Sequence, residues 1–313
     1  MTMPTPLSPA IQPLPQLHGI LVLNKPKGPT STRCITQIKR LGQKKIGHAG
    51  TLDPMATGVL LVLLGQATKI SNYLLEDGGK VYSGVLRLGQ TSDTWDAEGQ
   101  IVAETPWEGI GCEQIAAEIA AWEGLTEQAV PPYSAAKHEG QPLYKLARKG
   151  VETPNKVKRI QISQATVLEM ELPFVRFRVA CSSGTYIRSL AHSLGTRLGC
   201  GALLTELTRE YSHPFGLDVA CDLTALTSGA DGSPDMGLLV RSLRPIREAL
   251  PDWPVIELAP WQAKLVRNGQ PLFFAEEVAE GHERALLVHA GQEMALVQRD
   301  GPRWTVLRGL WTD

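Results

Sequence analysis

Residues 58–65, Gly-Val-Leu-Leu-Val-Leu-Leu-Gly, form a continuous apolar run bounded by glycines. The run has the length of a strand, and its lack of alternation predicts burial on both faces. Residues 18–24 predict a short strand before it. Residues 80–88 predict one after it, with Tyr82, Gly84, Leu86 and Leu88 on a common face. Two more strands are predicted over 160–168 and 174–181; the second alternates Val175, Phe177 and Val179 with Arg176 and Arg178. Helical spacing marks Cys34, Ile35, Ile38 and Leu41, with Thr30 or Ser31 as the cap and Gly42 as the stop. Residues 66–75 and 112–122 predict further helices. Ile187, Leu190, Ala191, Leu194 and Leu198 predict another, which Thr185 can cap.

Other stretches lack such periodicity. Residues 130–150 are polar, basic and marked by Pro131 and Pro132, which reads as an inserted hairpin or arm. Residues 228–234 form a Gly/Ser-rich loop and a candidate linker. From about Trp253 the chain turns to short strands, over 284–289, 294–298 and 304–308, the last after an Asp300-Gly301 turn. A small, mostly β domain is expected there. The organisation expected is a flexible Pro-rich tail (1–17), a main domain (18–250) with an arm at about 130–159, and the β-rich domain (251–313). The length of 313 residues agrees with about two domains.

Composition narrows the class. Hydrophobic residues make up 43% and charged residues 20%, which excludes collagen-like, disulfide-scaffold and disordered chains. The five cysteines form an odd set with no CxxC, so neither a disulfide framework nor a zinc site is expected. The tail carries five prolines and no charge, unlike the basic start and apolar run of a signal peptide. The apolar run at 59–64 is far short of the ~20 residues of a membrane span. A soluble cytoplasmic protein is expected.

The net charge of −1 hides an uneven distribution. Asp53 is the first acid in the sequence, and Lys25, Lys27, Arg33, Lys39, Arg40, Lys44 and Lys45 precede it. A second basic block at 131–160 holds Lys137, Lys145, Arg148, Lys149, Lys156, Lys158 and Arg159 against Glu139 and Glu152. Single clusters of this kind are usually solvated surface. Two one-signed blocks in a near-neutral protein point to a polyanion partner.

Four residues stand out chemically. Asp53 lies in the loop Gly47-His-Ala-Gly-Thr-Leu-Asp-Pro54, just before the buried strand, and Pro54 biases it to an extended backbone. An isolated Asp-Pro is ordinarily a turn. Here the edge of a buried strand gives a rigid seat for a reactive carboxylate. Arg188 falls in the first turn of its helix, where the macrodipole disfavours a cation by ~0.3–1 kcal/mol. A carboxylate from elsewhere would compensate, and Asp53 is a candidate. Tyr82 is either core or a stacking surface for a base. His48 has no nearby ligand-spaced partner, so metal binding is not expected. GxGxxG after a strand, GxxxxGK[ST], HExxH and GxSxG are all absent.

The block at 47–58 and its continuation to Lys69 resemble the signature of the TruB-type bacterial tRNA pseudouridine-55 synthase family. The resemblance extends through 19–28, 80–82, 131–137, 144–150, 181–188 and 204–209 in the family's order. It implies an α+β fold: a mixed, largely antiparallel central sheet flanked by helices, with a C-terminal, PUA-like RNA-binding domain. It implies isomerisation of uridine to pseudouridine in the T-loop of tRNA, with no cofactor, metal or guide RNA. By resemblance, Asp53 is the nucleophile at C1′, with attack at C6 as the older alternative. Arg188 pairs with it, and Tyr82 stacks on the target base and helps remove the C5 proton. His48 supports the flipped-out nucleotides. Lys25, Lys69, Asp96 and Tyr186 line the site or hold RNA, and the arm, with Lys137, Lys145, Arg148 and Lys149, closes over the T-arm. The rival reading is a tRNA-folding chaperone whose isomerase activity is secondary or lost. The oligomeric state is left open.

Overall fold

The structure is a computed structural model that describes residues 15–312, except 77, 150, 152, 153, 155, 230, 231 and 276. The elements up to the arm are β1 (Gly19–Lys25), α1 (Ser31–Lys39), β2 (Ile46–Ala49), β3 (Thr57–Leu64), α2 (Ser71–Glu76), β4 (Lys80–Leu88), β5 (Gln90–Ser92), β6 (Ile101–Glu104) and α3 (Cys112–Ala120). The arm contains β7 (Glu127–Ala129), β8 (Lys137–His138), β9 (Gln141–Pro142), α4 (Leu143–Ala147) and β10 (Val157–Arg159). Then come β11 (Ile162–Glu171), β12 (Phe174–Cys181), α5 (Ile187–Leu198), β13 (Ala202–Ser212), β14 (Phe215–Gly216), β15 (Cys221–Asp222), α6 (Leu223–Thr227), α7 (Met236–Arg241) and β16 (Leu243–Arg244). The C-terminal part holds β17 (Val255–Glu257), α8 (Pro260–Arg267), β18 (Leu272–Phe273), β19 (Arg284–His289), β20 (Gln292–Asp300) and β21 (Arg303–Gly309).

The main sheet runs β11-β12-β4-β13-β3-β1-β15. Its pairings are antiparallel except β3–β13 and β1–β15, which gives the mixed, largely antiparallel sheet expected. The apolar run explains itself here. Leu60, Val62 and Leu64 pack on one face with Cys34 and Ile38 of α1 and Leu190 of α5. Val59, Leu61 and Leu63 pack on the other with Leu286, Val288 and Leu296. Each such side chain contributes about 1.5–3 kcal/mol on leaving water.

The C-terminal sheet, β17-β19-β20-β21-β18, therefore has two cores. Leu286 and Val288 face the main sheet, while Leu287 and Ala295 join Val266 and Trp304 in a cluster of their own. Period-two alternation along β19 divides them.

Several sequence expectations are corrected. Residues 228–234 are not an interdomain linker, because β16, beyond them, pairs with β1 in the main sheet. Residues 15–17 of the expected flexible tail are tied to Gln43: its amide donates to Pro15 O (3.2 Å) and its oxygen accepts from Leu17 N (2.8 Å). The rest of that tail lies outside the described residues. Thr30 caps α1 by accepting from Arg33 N at 3.1 Å. Thr185 does not cap α5; its hydroxyl donates to Ser182 O (2.9 Å), and Tyr186 holds the cap position. Arg188 still lies in the first turn.

Candidate active site

The loop between β2 and β3 carries Asp53 at the end of the most buried strand. It is held from several sides. The Ser31 hydroxyl donates to Leu52 O (3.0 Å) and accepts from Leu52 N (2.9 Å). The fully buried Lys25 donates to Ala56 O (2.7 Å), Pro26 O (3.0 Å) and Pro54 O (3.2 Å). Burial lowers the Lys25 pKa, and the neighbouring Cys34 and Asp53 act against that shift. Leu52, Met55 and Ala56 are buried, so the residues flanking Asp53 anchor it. Its own side chain stays 35% exposed, open to a ligand.

Arg188 backs this carboxylate and is only 5% exposed. Its Nη2 donates to Asp53 Oδ1 at 3.1 Å, and its Nε lies 2.9 Å from Oδ2, close but off the hydrogen-bond axis. The guanidinium also donates to Thr94 O (2.9 Å) and Tyr133 O (3.0 Å), with Nη1 3.4 Å from Asp96 Oδ2. One planar group thus joins the Asp53 loop, the segment after β5, the arm and α5. Asp96 is buried, accepts from Thr94 Oγ1 (2.6 Å) and Glu98 N (3.1 Å), and has its pKa raised chiefly by burial.

Tyr82 on β4 is buried, and burial raises its phenol pKa; the positive charge of Arg209 pulls the other way. Asp53 is near enough to add to the rise. His48 on β2 is half-buried, and burial followed by the Arg209 charge lowers its pKa, so the ring is neutral at pH 7. Tyr186 is half-buried, its backbone bracketed by the Gln128 side chain, which donates to Tyr186 O at 3.1 Å. Lys69 is not drawn into this group; its ammonium donates to Gly309 O in the C-terminal sheet. Lys145, Arg148 and Lys149 are exposed on and after α4, and Lys137 lies on β8. Among the described residues, no cluster of three or more His, Cys, Asp or Glu is placed to hold a metal ion. No helix among them is long and apolar enough to cross a membrane.

Sequence reasoning missed Arg209 as part of the site. It is fully buried, donates to Val59 O (2.6 Å) and Gly50 O (3.0 Å), and sits across from Tyr82 in the sheet. The available signal was its alternation with buried Leu207, which puts an arginine at an inward position of a strand. Thr94 and Tyr133 were also missed, because they contribute backbone carbonyls that no side-chain pattern encodes.

A half-open carboxylate beside a buried guanidinium, next to a buried phenol, is an arrangement for nucleophilic and proton-transfer chemistry. The fold carrying it is that of the pseudouridine synthases: a chain in a crystal structure of a Cbf5-Nop10-Gar1 complex superimposes with a TM-score of 0.69 at 26% identity, over 94% of this chain and 85% of that one. A family model described as TruB family pseudouridylate synthase (N terminal domain) matches residues 39–187. Proteins named tRNA pseudouridine synthase B from Oleidesulfovibrio alaskensis and Nitratidesulfovibrio vulgaris (Hildenborough) are each 58% identical, covering 95% of this chain and 98% and 99% of their own. The chain belongs to the TruB family of pseudouridylate synthases, which are isomerases.

Proposed function

We propose that this protein converts uridine to pseudouridine at position 55 in the T-loop of tRNA, in the cytoplasm, with Asp53 as the nucleophile. The observation that carries this reading is the Asp53–Arg188 pair, open on one side and closed on the other by a buried cation. The relatives' names supply the RNA class.

The target nucleotide must first leave its stack, at a cost of a few kcal/mol. His48 supports the nucleotides so displaced, and Tyr82 and Tyr186 line the pocket that receives the base. Asp53 attacks C1′, and the N1–C1′ bond breaks with its electron pair leaving on the uracil. The uracil turns, C5 attacks C1′, and the pair of the C1′–O bond returns to the Asp53 carboxylate. C5 then loses its proton and N1 gains one. Arg188 holds the carboxylate in line throughout, and Asp96 holds Arg188. Lys25 acts through the loop carbonyls it binds. Lys137, Lys145, Arg148 and Lys149 on the arm meet phosphates of the T-arm. The chemistry has no net redox change, so no redox cofactor enters it, and the protein acts on tRNA without a guide RNA in this reading. Incubating purified protein with T-arm RNA and no additive, then mapping pseudouridine, tests the reading: a single modified site at position 55 is expected, and conversion elsewhere or nowhere contradicts it.

A further inference from the structure

Trp95 adopts a left-handed backbone conformation, with φ of 64°. A bulky residue there is an outlier, and such a conformation persists only where its surroundings over-determine it. Both neighbours of Trp95 meet the guanidinium that pairs with Asp53. Thr94 O accepts from Arg188 Nη1 (2.9 Å), and Asp96 Oδ2 lies 3.4 Å from the same nitrogen. The bend at Trp95 brings a main-chain carbonyl and a carboxylate, two positions apart, to one side-chain atom. Hydrogen bonds hold its backbone: Trp95 N donates to Ser92 O (3.2 Å), Leu204 N donates to Trp95 O (3.2 Å), and Ala97 N donates to Leu204 O (2.9 Å). The indole ring is held by stacking. It lies flat on the His192 ring, with centroids 4.2 Å apart and planes 4° from parallel. His192 is one turn beyond Arg188 on α5, so the two side chains share a face of the helix. Its Nδ1 is buried with no hydrogen-bond partner among the described residues. Burial lowers the ring's pKa, so the stack joins two uncharged rings at pH 7.

We infer that Trp95 and His192 are positioning residues for Arg188: their stack locks segment 94–96, and that segment fixes the plane of the guanidinium against Asp53. The inference rests on the proposed role of Asp53 as the nucleophile and deepens it. Two side chains of α5 grip three consecutive residues. Arg188 takes Thr94 and Asp96, and His192 takes the Trp95 between them. Apart from Asp53, the guanidinium is held by this segment and by Tyr133 O (3.0 Å). If the segment drifts, the guanidinium follows it, and the Asp53 carboxylate loses its line on C1′. A displacement of that kind acts on the rate of chemistry, where about 1 Å can cost ~10²-fold. RNA affinity, which the arm's exposed cations carry in the proposed function, does not pass through the stack.

Single-turnover pseudouridine formation and RNA affinity, both measured on the full chain with T-arm RNA, test this. Trp95→Gly removes the ring and keeps a residue that tolerates positive φ. It is expected to slow conversion of bound RNA by about 10- to 100-fold with affinity unchanged. His192→Ala should do the same, and His192→Phe, which restores a flat ring, should recover most of that loss. Because both residues act through one contact, His192→Ala should cost little more in a Trp95→Gly background. Full additivity would overturn the inference. So would a fall in affinity with the rate kept, which would make Trp95 an RNA contact. If Trp95→Gly does not fold, the His192 variants decide: equal rates for His192→Ala and His192→Phe overturn the inference. Absence of pseudouridine with the unsubstituted protein would instead remove the reading of Asp53 on which it rests. Normal conversion by the unsubstituted protein and by every variant would remove this inference alone.

Discussion

The Asp53 loop and the arm of residues 130–159 present charge in opposite ways. The loop is pinned by Ser31, Lys25 and three buried neighbours, and its one anion meets a guanidinium that is itself 5% exposed. The two strands at the base of the arm, β7 and β10, pair with each other, Ser189 Oγ of α5 donates to Ala129 O at 2.7 Å, and Leu143 is fully buried. The arm's cations on and just after α4, Lys145, Arg148 and Lys149, stand in solvent. The difference separates tasks. Chemistry needs a group held to a fraction of an ångström, which only packing supplies. Phosphate attraction acts over the ~8–10 Å Debye length and tolerates side-chain motion. Substitutions in the loop network should therefore change kcat, and substitutions on the arm should change salt-dependent binding.

The largest effect expected, after loss of Asp53 itself, comes from Arg188→Met. It leaves Asp96, 6% exposed, without its cation. Breaking such a buried pair costs about 3–5 kcal/mol of stability. The catalytic loss should be at least about 10²-fold in kcat, measured on the folded fraction. Arg188→Lys should recover little, because one ammonium cannot span two carboxylates and the carbonyls of Thr94 and Tyr133. A near-normal kcat for Arg188→Lys would break the comparison on the loop side.

On the arm side, replacing Lys145, Arg148 and Lys149 together by Ala should reduce the slope of log K against log salt for T-arm RNA by roughly 2. The single-turnover rate at saturating RNA should not change. An unchanged slope would show that the arm does not meet phosphates.

The smallest effect concerns Lys80, buried beside Arg209 with its pKa lowered to about 8 from 10.5. Between those values the unfolded chain binds more protons than the folded one, so stability rises with pH across that window. Below it both states are protonated and the burial penalty is complete. Lys80→Met should lack the rise, so its stability difference from the unsubstituted protein should change between pH of about 7 and about 10. Denaturant midpoints at the two pH values check this, and a constant difference contradicts it.

Much of this architecture is legible in the residues. The unbroken run 59–64 predicts a strand covered on both faces, and it lies between α1 and α5 on one side and the C-terminal sheet on the other. A cation in the first turn of α5 predicts a carboxylate partner from elsewhere, and Asp53, 135 positions away, lies against it. What the sequence hides is long-range. Thr185 has the chemistry of a cap, yet Gln128, 58 positions away, binds the Tyr186 backbone and displaces it. The C-terminal strands read as a small β domain, and nothing in their pattern shows that one face of β19 packs against β1 and β3 of the main sheet. Arg209 is an unremarkable letter in a strand until the sheet register sets it opposite Tyr82.

The most direct test of the central claim is pseudouridine formation by Asp53→Asn on T-arm RNA, with RNA affinity measured in parallel. The substitution keeps the loop's shape and removes the nucleophilic charge. Binding close to that of the unsubstituted protein with no detectable pseudouridine is the predicted result. Isomerisation by Asp53→Asn at a rate near that of the unsubstituted enzyme would contradict the account.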